Sequence, residues 1–157
     1  MRRYLTDEAG ASAVEMAIVL PLLVMVVFGL IEFGLLLYNQ QVITNASREG
    51  ARAAIVGDCD HRLTDPQISQ IVKDYCIDPK DATKKRLITF GATNNPPTVN
   101  VNPSPSNCTQ GGSGLKTGDD VAVTVTYDYT FLVPSLLGFD PTKQLGAKTD
   151  MKMESAP

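Results

Sequence analysis

The run EAGASAVEMAIVLPLLVMVVFGLIEFGLLLYN, residues Glu8–Asn39, decides how this chain is read. From Met16 to Ile31 no charged or amide side chain appears, and Glu32 is the only charge between Met16 and Tyr38. Ala13 to Leu37 is about 25 residues, roughly 37 Å of helix, enough to cross a hydrocarbon core of about 30 Å. A cleaved secretory signal fits poorly. Its apolar region should span about 7–15 residues and end at a small-x-small site, whereas LLLYNQQ follows here. Arg2 and Arg3 lie on one side of the run and Arg48 and Arg52 on the other, so basic residues orient the span only weakly, N-terminus in.

The helical pattern continues past the apolar run. NQQVITNASREGARAAIV holds no proline and places Val42, Ala46, Glu49, Gly50 and Ala53 at three- and four-residue spacing. One helix is therefore expected from about Ala13 to Val56, stopped at Gly57 and Asp58. Pro21 should free the carbonyl of Ala17 and kink or loosen the membrane portion. The domain reading is residues 1–10 as a leader, 11–57 as a long helix with residues 13–37 across the membrane, and 58–157 as an outer α+β domain.

Within that domain DPQISQIVKDYC reads as a short helix from about Pro66, with Ile68, Ile71, Val72 and Tyr75 on one face. Residues 78–113 are rich in Pro, Asn, Ser and Gly, with TVNVN as a brief strand. DVAVTVTYDYTFLVP alternates Val121, Val123, Val125, Tyr127, Tyr129 and Phe131 with small or polar residues, a half-buried strand stopped at Pro134. Leu145, Ala147, Thr149, Met151 and Met153 alternate with charged residues in a second such strand. The expected fold class is α+β, a long helix packed on a small antiparallel sheet.

With 157 residues the chain suits one modest domain plus an anchor. A formal charge of −3, with basic residues scattered, argues against nucleic acid; the one tight run, Lys84, Lys85 and Arg86, reads as a solvated loop. Three cysteines, Cys59, Cys76 and Cys108, fall in the outer part. In an oxidising compartment one disulfide and one leftover thiol are expected; the three pairings stay open, with Cys59–Cys76 favoured for its short loop. A metal site at Cys59, His61 and Cys76 lacks a fourth ligand and standard spacing. A single histidine, no nucleophile elbow, no phosphate loop and no zinc-protease helix leave catalysis and cofactors without support.

Glu15 sits at the mouth of the apolar run. Carboxylates are favoured near helix N-termini, so it could simply start the helix. Gly10 offers a sharper reading, because a small, adaptable residue lets a protease draw an extended backbone into its site. A cut after Gly10 would leave Ala11 as a charged terminus. A carboxylate at the membrane edge is costly unless paired, and the free amine of a neighbouring chain is a suitable partner.

These residues resemble a known family. G-ASAV-E before an apolar helix is similar to the class III signal of type IV pilin-like proteins, and GASAVEMAIVLPLLVMVVFGLIEFG with ASREGARAA resembles the TadE-like pseudopilins of tight-adherence pili. The late VAVTVTYDYTF and LGAKTDMKME also resemble that family's sheet. The resemblance implies cleavage between Gly10 and Ala11 by an inner-membrane prepilin peptidase, with Glu15 carried over as a recognition and assembly residue. Where the family often has an aromatic after the glutamate, this chain has Met16. The implied partners are other pilin or pseudopilin subunits, the peptidase and the inner membrane, and the implied role is pilus biogenesis and adhesion. The rival reading is a permanently anchored periplasmic binding module.

Two further features have two readings each. Glu32 lies 17 residues beyond Glu15, about 25 Å along the helix and about 100° around it. It could snorkel at the far interface or meet a partner's cation. Ala46, Gly50 and Ala54 form a stripe of small residues that permits close packing, against this chain's own sheet or against another subunit. Arg48 and Arg52 flank the stripe and read as a solvated edge.

Overall fold

The computed structural model describes residues 8–56, 62–78, 81–90, 96–107, 116, 118–136, 138 and 140–153. A single helix, α1, runs unbroken from Glu8–Ile55, through Pro21. It begins five residues before the expected start at Ala13 and ends one residue before Val56. It is long and apolar enough to cross a membrane, and no residue of its most apolar window is buried by the protein. The rest of the molecule gathers around its distal half.

There α1 presents Val42, Ile43, Ala46, Ala51 and Ala54, all buried, to the outer domain. Their three- and four-residue spacing puts them on one side of the helix, so a single face can enter the core. Helix α2 (Asp65–Tyr75) packs beside it through buried Ile68 and Val72. Pro66 falls in its first turn, and the Thr64 backbone N–H, which precedes the helix, donates to Gln67 Oε1 at 2.9 Å. That reciprocal bond satisfies a donor the helix cannot. At the other end of α1, Arg62 Nη1 donates to the carbonyl of Ile55 at 3.1 Å, closing the helix terminus.

The sheet is antiparallel, in the order β3 (Thr98–Asn102), β4 (Asp120–Thr130), β5 (Thr142–Lys152). Central β4 alternates as its sequence requires: Val121, Val123, Val125, Tyr127 and Tyr129 are buried against α1, and most residues between them are part-exposed. β5 pairs with β4 along its whole length, from Asp120 opposite Lys152 to Thr130 opposite Thr142. Helix α1 lies across β4 and β5, and the pair of Ser47 and Thr149 hydroxyls, 2.7 Å apart, joins helix to sheet. The α+β expectation and the three strands read from the sequence are therefore present.

The middle of the chain differs from its sequence reading. β1 (Ile77–Asp78) and β2 (Asp81–Lys85) form a two-stranded antiparallel ribbon where a loop was expected, so Lys84 and Lys85 belong to a strand. Arg86 is not simply solvated either: its guanidinium lies over the Tyr75 ring, 5.0 Å from the centroid. No alternating apolar pattern marks this ribbon, so its pairing was invisible to periodicity. Gly57, Asp58, Cys59, His61 and Cys108 lie outside the described residues. Cys76 is buried and holds a free thiol. Burial pushes that thiol from 9.0 to about 11, opposed in part by the positive charge of Arg86.

Candidate assembly interface on the long helix

Gly10, Ala11, Glu15 and Pro21 all lie on the exposed, proximal part of α1. The described helix already includes Gly10, so the bond after it is helical, not extended. Glu15 forms no ion pair among the described residues. Pro21 is exposed with its apolar neighbours, Leu20, Leu22 and Leu23. Among the described residues nothing covers this portion.

Glu32 behaves differently from both of its sequence readings. It is 4 % exposed, and Oε1 accepts from the backbone N–H of Leu132 and from that of Val133, the latter at 3.0 Å. It neither snorkels nor waits for a foreign cation; it holds the turn that leads into α3 (Val133–Leu136). The amides at the start of that turn lack helical acceptors, and a carboxylate meets their need while they meet its own. Beside it, Tyr129 is fully buried, with its ring edge-on to Phe131 at 4.9 Å. Its hydroxyl has no hydrogen-bond partner among the described residues. Burial foremost, then the Glu32 charge, then Tyr127, raise the Tyr129 pKa.

Seven residues further along the same side, Asn39 is also fully buried. Its amide donates to the Ile88 carbonyl at 2.6 Å, and its oxygen accepts from the Ile88 N–H at 2.9 Å. The side chain thus completes a strand-like pair with Ile88, in a segment outside the sheets. That segment continues to β4: the Thr130 N–H donates to Thr89 Oγ1 at 2.9 Å, and the Phe90 N–H to the Thr130 carbonyl at 3.3 Å. Gln40 Nε2 reaches the Gly146 carbonyl at 2.8 Å. Glu32, Asn39, Ile43, Ala46, Gly50 and Ala54 therefore make one docking stripe. Sequence reasoning missed its polar members, although their seven-residue spacing and register with Ile43 were the available signal.

The small residues of the stripe pack within the chain. Ala46 and Ala54 are fully buried, and a Cβ added at Gly50 would lie 2.5 Å from Val72 Cγ2 and 3.2 Å from Val123 Cγ1. Of the two readings of this stripe, packing on the protein's own α2 and β4 is the one present. Arg48 and Arg52 are exposed on the opposite side.

Residues 10–52 match the family described as TadE-like protein. Comparison with curated proteins and with solved structures found no match. The matched segment starts at Gly10, includes Glu15, the apolar run, Glu32 and Asn39, and ends within α1. The strands that resembled the family's sheet fall beyond it. The similarity to the TadE-like family thus covers residues 10–52, most of the long helix.

Proposed function

We propose that this protein is a pilus-assembly subunit of the tight-adherence type, a minor pseudopilin cut between Gly10 and Ala11 by a prepilin peptidase. The carrying observation is the TadE-like match, which opens at Gly10 and contains a Glu15 that finds no ion-pair partner among the described residues. Glu15 lies about 100° around the helix from Glu32, off the docking stripe, so the outer domain leaves it available. In this reading the N-terminal amine of a neighbouring subunit pairs with Glu15 and sets register. The exposed apolar helix is held first by the inner membrane and then by other subunits, with the outer domain beyond the cytoplasm. The protein works by association in pilus biogenesis and adhesion, with no chemistry of its own.

The test is the N-terminus of membrane-extracted protein, read by mass spectrometry with and without the matching prepilin peptidase. A peptidase-dependent chain starting at Ala11 is expected. Gly10→Val, whose side-chain bulk blocks the close backbone approach that glycine permits, should leave the chain uncut. An uncut wild-type chain beside an active peptidase would overturn the reading and leave an anchored periplasmic module in its place.

A further inference from the structure

We infer that the outer domain rests on the lipid surface, with Phe90 and the 131–134 turn seated in the headgroup layer and Ile88 at its outer margin, where α1 leaves the bilayer. The inference rests on α1 spanning a membrane and is independent of the pilus reading.

The depth follows from helix geometry. Counted from Ala13, a hydrocarbon core of about 30 Å is used up in about 20 residues, which ends it at Glu32. Headgroups add about 5–7 Å beyond the core, or about four more residues of helix. The protein's own domain comes down to this level, because Glu32 receives the amides of Leu132 and Val133. Leu132, Val133 and Pro134 are each only partly covered by the protein. Phe90 is tied to the same turn through the Thr130 carbonyl, two residues before Leu132. Ile88 is tied to Asn39, about 10 Å above Glu32 along the helix, just beyond the outer edge of the layer.

What these residues expose matches such a position. Ile88 is 42 % exposed and Phe90 44 %, although both neighbours in the segment, Leu87 and Thr89, turn inward. On the helix, Phe33, Leu37 and Tyr38 are exposed at the same height, and aromatic side chains favour the membrane interface. The domain's exposed apolar residues thus sit at the height where the spanning helix leaves the core, and lipid is the occupant that this shared height selects. Among the described residues the exposed charges at this end of the sheet are Asp128, Asp140 and Lys143, two carboxylates against one ammonium. Attraction to anionic lipid is therefore not needed, and a zwitterionic surface suffices.

The chain contains no tryptophan, so one introduced indole reports alone. Full-length Phe90→Trp and Ile88→Trp are reconstituted in phosphatidylcholine vesicles, with Met25→Trp as the buried control and Val56→Trp, at the distal end of α1, as the exposed one. Lipids brominated near the headgroup should quench Phe90→Trp at least about twofold more than Val56→Trp, with blue-shifted emission, as an interfacial residue requires. Two results overturn the inference: water-like, unquenched emission from both loop variants, or blue-shifted emission insensitive to bromine, which would mean a protein contact. Met25→Trp, near mid-core, is read with lipids brominated deep in the acyl chains, and no quenching there would overturn the inference at its base by showing that α1 does not span.

Discussion

At the scale of single residues, two carboxylates on one helix have opposite fates. Glu15 lies exposed and outside every contact of the domain, while Glu32 is enclosed and bonded to backbone amides a hundred residues away in sequence. A buried acceptor that is removed strands its donors, at a cost of about 1–3 kcal/mol. Glu32→Ala should therefore speed hydrogen exchange at the Leu132 and Val133 amides while leaving the central amides of β4 protected. Glu32→Gln, which keeps a carbonyl oxygen at the same place, should fall between the two. Equal exchange in wild type and Glu32→Ala would show that the contact does not hold the turn. The sequence exposed the oddity of Glu32 but not its partner, because hydrogen bonds to backbone amides leave no trace in residue type.

At the scale of elements, the docking of α2 on α1 depends on Gly50. Alanine normally improves a helix interior by about 1 kcal/mol over glycine. Here its methyl group would collide with Val72, a short branched side chain with little room to swing away, and would press on Val123. Overpacking a tight core costs about 1–3 kcal/mol, so the steric effect wins. Gly50→Ala should lower the urea midpoint of the detergent-solubilised domain, with a net loss of about 1 kcal/mol. Gly34→Ala, where nothing lies within 4 Å, should not lower it. The elements themselves were largely legible: a period near 3.6 for α1 and α2, and a period of two for β4 and β5. The β1–β2 ribbon was not, since its five-residue strand DATKK has no apolar alternation and is defined only by backbone pairing.

At the scale of the whole molecule, the apolar half of α1 has no cover and the distal half carries the entire core, so stability in solution belongs to the outer domain. Its pH dependence includes Cys76. Burial raises that thiol from 9.0 to about 11, so the folded state keeps a proton that the unfolded state releases across this window. Stability linked to the thiol is then intact below about pH 9 and falls as pH rises toward about 11. Denaturation curves in detergent across that window should show a steeper decline for wild type than for Cys76→Ala. Matching slopes would mean that another group, such as the raised Tyr127 or Tyr129, governs alkaline unfolding.

The sequence by itself determined the membrane-length apolar run, the extent of the helix and the alternation of the two main strands, because each depends on periodicity and run length within one segment. It also determined the Gly10–Glu15 signature, which is local and carried by residue type. Only the tertiary structure decided that the small stripe at Ala46, Gly50 and Ala54 serves this chain's own core, and that Glu32 and Asn39 extend that stripe toward the membrane. Those outcomes depend on what lies across from the helix. The facing groups, Val72, Ile88, Val123 and the amides of Leu132 and Val133, are between 22 and 101 residues away, and no pattern along the chain brings them together.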